Sequence, residues 1–238
     1  MLEIIKTKSL EDVCAHAADD FITAIRDINQ TGGVHGDGIA RVVLTGGGAG
    51  IGMLRRLVNA DINWELVHVF FGDERNVEVT HPDSNEGQAR EALLDHIQIP
   101  EANIHGFRLG GIELSGAAEE YRAALHDFAP LGFDIHLLGV GGEGHINSIF
   151  PHTAAAEETT ELVLPVYDSP KPPAERVTLT FPAITSAQRV WMLVAGPEKA
   201  EAVKNIVGAA PALDWPAAGA RGVVETKLFV AADAATLL

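Results

Sequence analysis

The sequence predicts an α/β protein: a single domain over residues 1–238, built on a mainly parallel, doubly wound sheet with helices on both faces. Three observations carry that expectation. Short apolar runs alternate with amphipathic segments along the whole chain. The runs Arg41–Leu44 (RVVL), Val67–Phe71 (VHVFF) and Phe133–Leu138 (FDIHLL) each lead into a polar or glycine-rich loop, where open α/β sheets place their chemistry. No internal repeat and no linker-like stretch interrupts the pattern.

The elements follow in order. Leu2–Ile5 is a candidate first strand, and Ser9 an N-cap with Glu11 and Asp12 in the first turn, where the helix dipole favours acids. Val13, Ala17, Phe21, Ala24 and Ile28 recur at helical spacing, and Gly32-Gly33 end that helix. Arg41–Leu44 runs into Thr45-Gly46-Gly47-Gly48, with a helix expected over Ile51–Asn59. Val67–Phe71 delivers Gly72-Asp73-Glu74-Arg75. Ser84 opens a helix expected to reach Ile97, and Ser115–Phe128 forms another, with Glu119 and Glu120 on its solvated face. Phe133–Leu138 ends at Gly139–His145. Arg176–Leu179 and Val190–Val194 are further strands, and Pro197 stands at the first position of a helix. Pro165–Pro173 and Ala209–Gly222 read as lids or long loops.

Seventeen Lys and Arg face 33 Asp and Glu, a formal net charge of −16. Such a surface repels nucleic acid and anionic lipid, so neither is an expected partner. A phosphorylated metabolite would also be repelled unless cations gather at one site. The single cysteine, Cys14, excludes an internal disulfide and any multi-cysteine metal centre, and fits a reducing, cytoplasmic setting. The first residues lack the apolar core of a signal peptide, and no apolar run approaches membrane-spanning length.

Three loops carry chemistry. Thr45–Gly50 holds four glycines in six residues between a strand and a helix. Glycines let backbone N–H groups approach an anion at a helix N-terminus, although a tight turn needing positive φ would use the same residues. No Gly-Lys-Ser/Thr follows, and the dinucleotide fingerprint G-x-G-x-x-G fails in every register. In Gly72–Asn85, Arg75 suits bidentate phosphate binding; a local ion pair with Asp73 or Glu74 is the competing account, and both can hold together. Asp83 and Ser84 suit capping of the next helix. In Gly139–His152, His145 follows a glycine-rich turn at a strand end, and an imidazole titrating at about 6.5 suits a general base. Ser148 lacks a nucleophile elbow and reads as a hydrogen-bonding residue. The other histidines show no metal-ligand spacing; a site built from His136, His145 and His152 is conceivable but unsupported by any motif. Lys199, at a helix start, opposes the dipole and is either a phosphate ligand or a solvated surface lysine.

These residues resemble the 6-phosphogluconolactonase family over nearly the whole chain. Asp73-Glu74-Arg75 with His81-Pro82-Asp83-Ser84-Asn85 is similar to its D-E-R…H-x-D-S-N signature. Gly139–His145 resembles its G-x-G-x-D-G-H loop, with Ser148, Phe150 and Pro151 matching S-x-F-P. Pro170–Thr180 resembles P-K-P-P-x-x-R-[IV]-T-L-T, and Gly196–Ala200 resembles G-x-x-K-A. Two departures stand out: Glu143 where Asp is usual, keeping the charge with an added methylene, and Asn147 where a small residue is commoner.

The resemblance implies hydrolysis of 6-phospho-D-glucono-1,5-lactone without metal or cofactor, by a cytoplasmic enzyme expected to be monomeric. Its catalytic residues would be His145 as base and Asp73 as an orienting group. Thr45, Gly46, Gly47, Gly48, Arg75 and Lys199 would hold the phosphate, with Lys171 and Arg176 as further candidates. Gly141, Glu143, Gly144 and Ser148 would support the histidine loop. Two alternatives share the implied fold. Aminosugar-6-phosphate deaminase/isomerases carry D-E-Y at Asp73–Arg75 and an N-E-P after the histidine loop, where this chain has Ser148-Ile149-Phe150-Pro151. Sugar-phosphate-sensing domains of transcription regulators need an attached DNA-binding module, which is not expected here.

Overall fold

The structure is a computed structural model that describes residues 1–238. Its first half comprises β1 (Leu2–Thr7), α1 (Leu10–Thr31), β2 (Ala40–Leu44), α2 (Gly47–Arg56), β3 (Val67–Phe71), β4 (Asp73–Arg75), α3 (Asn85–Ala92), β5 (Ile104–His105) and α4 (Leu114–Phe128). The second half comprises β6 (Ile135–Gly139), α5 (Ala154–Glu157), β7 (Val163–Val166), β8 (Arg176–Leu179), α6 (Phe181–Thr185), β9 (Arg189–Val194), α7 (Ala200–Val207), α8 (Pro216–Gly219) and β10 (Glu225–Ala231).

Seven strands form the main sheet in the order β1-β10-β9-β6-β2-β3-β5, and every neighbouring pair is parallel. All five residues of β2 are buried, the mark of a strand covered on both faces. From β2 the chain builds outward through β3 and β5. It then returns to β6 on the other side of β2 and builds through β9 and β10. The order therefore reverses between β2 and β6, and ligands of doubly wound sheets bind beyond the carboxyl ends of the strands at such a switch point.

Helix α1 shows how locally the framework is specified. Ser9 Oγ accepts from the Asp12 N–H, Gly32 closes the helix in the left-handed region at φ 102°, and Val13, Ala17, Phe21, Ala24 and Ile28 are all buried. Burying one such large side chain contributes about 1.5–3 kcal/mol.

The structure corrects several expectations. Helix α2 starts at Gly47, not Ile51, and ends at Arg56, so the glycines form its first turn. Helix α3 ends at Ala92, where Leu93 leaves the helical region at φ −148°, and a separate 3-10 turn follows over Leu94–His96. Pro197 opens a 3-10 turn over Pro197–Lys199 that precedes α7. The Arg176–Leu179 strand does not join the parallel sheet: β8 pairs antiparallel with β4 and β7 in a separate three-stranded sheet. The Pro165 and Ala209 loop regions also contribute regular structure, in β7 and α8.

Strand β4 links the small sheet to the site. Its central residue, Glu74, is buried, whereas Asp73 and Arg75 are partly open, as the period-two alternation of a strand requires. The Glu74 carboxylate accepts from the Asn85 N–H at 2.8 Å, the Glu86 N–H at 2.9 Å, the Arg75 N–H at 2.9 Å and the Ser84 hydroxyl at 2.9 Å. Burial pushes its carboxyl up, and these four donors hold the charged form. Glu74→Ala leaves three of them orphaned at the start of α3 and the fourth on β4. We expect a loss of about 2–4 kcal/mol in stability, read as a lower urea midpoint at unchanged slope. An unchanged midpoint would show that water satisfies the helix end equally well.

Candidate active site

A crevice of about 340 Å³ lies at the switch point, lined by residues from the segments after β2, β6, β7 and β9, from β4 and β8, and from the head of α3. Thr45 Oγ1 accepts from the Gly139 N–H at 2.9 Å and so ties the end of β2 to the end of β6 across the reversal. Gly46 packs so closely on Asn85 that a Cβ there would meet Asn85 Oδ1 at 2.3 Å. Gly47 holds φ 77°, which a side chain would strain, and begins α2, whose first two residues, Gly47 and Gly48, have no side chain.

Asp73 and Arg75 reach the crevice from β4. Asp73 is fixed through both oxygens: Asn85 Nδ2 donates to Oδ1 at 3.0 Å, and the Ser148 hydroxyl donates to Oδ2 at 2.6 Å. Arg75 donates from Nη1 to the Asp83 carbonyl at 3.0 Å and to Asn85 Oδ1. Those acceptors are neutral, so the local ion pair considered from the sequence does not form, and the charge of Arg75 stays available to a ligand. Its Nε is buried without a hydrogen-bond partner.

His145 lines the same crevice, its ring stacked on Phe150 with centroids 4.4 Å apart. Burial pushes its imidazole below the ordinary value and Lys171 adds to the effect, while Glu143 and Asp73 oppose it. The neutral ring, the form that takes up a proton, is thereby favoured at pH 7. Gly141 is required by this geometry, because a Cβ there would come within 2.0 Å of His145 Nδ1. Lys199 faces the crevice from the turn before α7. Burial lowers its ammonium's pKa, Glu198 raises it and Lys171 lowers it further.

Most of the anticipated residues converge on this crevice. Thr45, Gly46, Gly47, Asp73, Arg75, Gly141, His145, Lys171, Arg176 and Lys199 line it. Gly48, Glu143, Gly144 and Ser148 do not. Gly48 lies in the first turn of α2 with open space around its Cα; Gly144 packs against Trp215. Arg176 is buried, and its guanidinium donates to the Pro173 carbonyl at 3.0 Å and the Lys171 carbonyl at 2.8 Å, which makes it chiefly an anchor for that segment. Ser148 proves to be a hydrogen-bonding residue, as read. The conceivable three-histidine metal site does not assemble: no three His, Cys, Asp or Glu side chains cluster as metal ligands. His136 is wholly buried on β6, and His152 is exposed beside Asp214.

Asn85 and Asn147 were not singled out as site residues. Asn85 appears in the sequence only as the last residue of the H-x-D-S-N signature, beside the capping pair Asp83 and Ser84, yet it joins Gly46, Asp73 and Arg75. Asn147, noted only as a departure, lines the crevice in the left-handed region at φ 49°, where Asn is tolerated.

Fold and crevice together define a doubly wound α/β protein with a crevice at its switch point that Arg75, Lys171 and Lys199 line. Residues 8–228 match the family model described as glucosamine-6-phosphate isomerases/6-phosphogluconolactonase. The 6-phosphogluconolactonase of Mycobacterium leprae is 48% identical over 202 residues, covering 80% of this chain and 81% of that protein. The Streptomyces coelicolor 6-phosphogluconolactonase is 35% identical over 252 residues, covering 99% and 94%. The crystal structure of Thermotoga maritima 6-phosphogluconolactonase superimposes with a TM-score of 0.86 at 26% identity, covering 97% of this chain and 100% of that one. The chain belongs to the glucosamine-6-phosphate isomerase/6-phosphogluconolactonase family.

The contact between Gly141 and the imidazole is directly testable. Gly141→Ala must displace the His145 ring, and a misplacement of about 1 Å costs about a hundredfold in rate. We expect kcat to fall by roughly that factor with melting temperature little changed; undiminished kcat would mean that the loop absorbs the methyl group without moving the ring.

Proposed function

We infer that this chain hydrolyses 6-phospho-D-glucono-1,5-lactone to 6-phosphogluconate, the lactone-opening step of the oxidative pentose phosphate pathway. One observation carries the reading. A histidine biased toward its neutral form shares a 340 Å³ crevice with two cations, Arg75 and Lys199, in a chain whose net charge is −16. A base and a concentrated positive patch are what a phosphorylated lactone requires.

The proposed roles follow from placement. The first turn of α2, with Arg75 and Lys199, holds the phosphate. His145 takes a proton from water as that water's oxygen bonds to the lactone carbonyl carbon. The tetrahedral intermediate then collapses, the bond from that carbon to the ring oxygen breaks, and His145 returns the proton to the departing oxygen. Asp73, fixed by Asn85 and Ser148, orients groups on the wall of the crevice. No step needs a metal or cofactor. The reading carries with it a cytoplasmic monomer folded as one domain over 1–238, with no nucleic-acid partner; no helix is long and apolar enough to cross a membrane. A deaminase reading is disfavoured because Ser148-Ile149-Phe150-Pro151 supplies no carboxylate after the histidine loop, and the Ser148 hydroxyl is engaged with Asp73.

The test is a coupled assay on freshly generated lactone, corrected for spontaneous opening. Turnover should survive EDTA; complete loss restored by zinc would contradict the proposal. Arg75→Ala and Lys199→Ala each remove a charge-assisted contact of about 1.5–3 kcal/mol and should lower kcat/KM by about ten- to a hundredfold. Wild-type values for both would reduce them to surface cations.

His145→Asn should lower kcat by about 10² to 10⁴ while phosphate affinity survives. In the wild type, kcat/KM should fall as pH drops through the histidine's pKa, because the imidazolium cannot accept a proton. Burial places that limb below the ordinary value of about 6.5. The substrate phosphate also titrates near about pH 6, so the decisive comparison is the variant, whose residual activity should lack the histidine limb. A folded His145→Asn enzyme with near-normal kcat would move the base elsewhere.

A further inference from the structure

The Nδ1 atom of His145 is buried and makes no hydrogen bond, although Glu143 Oε1 lies only 3.2 Å away. A buried ring nitrogen without a partner is costly, and here its natural acceptor is close but engaged elsewhere. Lys171 Nζ stands 2.7 Å from Glu143 Oε1 and 3.0 Å from Oε2, so one ammonium takes both carboxylate oxygens. Burial alone would push the Glu143 carboxyl up; the hydrogen bond from Lys171, one from its own backbone N–H, and the charges of His145 and Lys171 together outweigh it.

Lys171 is built to let go. Its carbonyl is gripped by Arg176 Nη2 at 2.8 Å, so its backbone is anchored, whereas its side chain is 48% exposed on the segment between β7 and β8. It lines the crevice together with Lys199, and the two like charges disfavour one another. A dianion between them relieves that repulsion and competes with Glu143 for the ammonium.

We propose that Lys171 is a positioning residue for His145: it holds the Glu143 carboxylate, 3.2 Å from Nδ1, out of hydrogen-bonding alignment with it until a phosphoryl anion in the crevice takes the ammonium and leaves the carboxylate to the imidazole. Glu143 then accepts from Nδ1–H, which fixes the tautomer with the Nε2 lone pair free for water and raises the ring's basicity. The base is thus strengthened only when substrate is present. Besides burial, three charged groups, Lys171, Glu143 and Asp73, act on its titration, and a fourth, Arg176, packs nearby. Glu143 lies on its own loop, Lys171 on the β7–β8 segment and Asp73 on β4, while Arg176 is positioned over the Phe150 ring that stacks on the imidazole. The longer side chain of Glu143 suits a carboxylate that serves two partners in turn.

The proposal rests on reading the crevice as a sugar-phosphate site. It is tested by following the His145 Cε1–H resonance against pH in the wild type, K171M and K171R, alone and with saturating 6-phosphogluconate or inorganic phosphate. Without ligand, K171M should titrate at higher pH than the wild type, and K171R, which keeps the charge on Glu143, should follow the wild type. Ligand should raise the wild-type midpoint, and raise that of K171M by less, since its Glu143 is already released. In kinetics, the acid limb of kcat/KM, which reports the free enzyme, should move up in K171M, while that of kcat stays with the wild type. The lost phosphate contact should also lower kcat/KM of K171M about tenfold or more at neutral pH.

Coincident midpoints for K171M and the wild type, or an equal rise with ligand in both, would overturn the switch. Lys171 is exposed, and a circular dichroism melt shows whether each variant is folded; K171R carries the comparison if K171M is not, because an upward shift in K171R without ligand also contradicts the proposal. The two readings fail separately. Absence of wild-type lactone turnover removes the proposed activity and leaves the phosphate titration to be judged, whereas unmoved midpoints remove the switch and leave the activity.

Discussion

The site depends on one buried carboxylate. Glu74 sits in the middle of a three-residue strand and gathers three donors at the start of α3 and the Arg75 N–H of its own strand. Because strand side chains alternate, burying Glu74 obliges Asp73 and Arg75 to face the other way, into the crevice. The same anchor sets Asn85 at the head of α3, from where its amide reaches both Asp73 and Arg75 and lies against Gly46 of the glycine loop. A buried acid outside the crevice therefore places an acid and a cation within it.

Electrostatics explains why the arrangement is so economical. With 33 acidic and 17 basic residues, the chain cannot draw an anion by overall charge. Attraction must come from a few cations left uncompensated within a crevice, where solvent screens them less. Arg75 achieves this by bonding to a carbonyl and an amide oxygen instead of a carboxylate. Lys171 does the opposite, being paired with Glu143, and its charge reaches a ligand only at the expense of that pair. Proposed phosphate grip and proposed base are thereby linked through one carboxylate.

The strands whose side chains are almost all buried were legible because apolar runs bounded by turn residues leave little choice: Val67–Phe71 and Arg176–Leu179 were placed to the residue. Helix α1 was readable from its cap, its period and its glycine stop. What escaped had no apolar signal. Strand β4 is three polar residues whose pairing with β8 spans a hundred positions, β5 is two residues long, and β7 contains a proline. The glycines of α2 were read as loop because their low helix propensity hides the fact that they begin the helix.

At the site, motif density pointed to loops that meet at the crevice, and the family resemblance singled out His145, Asp73 and Arg75, which line it. Contacts between loops were beyond reach, since nothing in the spacing of residues 143 and 171 announces an ion pair. The bridging role of Asn85 was hidden beside the capping pair Asp83 and Ser84, because its partners Gly46, Asp73 and Arg75 lie on other segments. The most direct measurement of the whole account is a crystal structure with 6-phosphogluconate bound. The account predicts the phosphate at the first turn of α2 between Arg75 and Lys199, with the carboxylate end of the sugar acid beside His145 Nε2. A ligand bound in the reverse sense, or its phosphate held away from both cations, would contradict it.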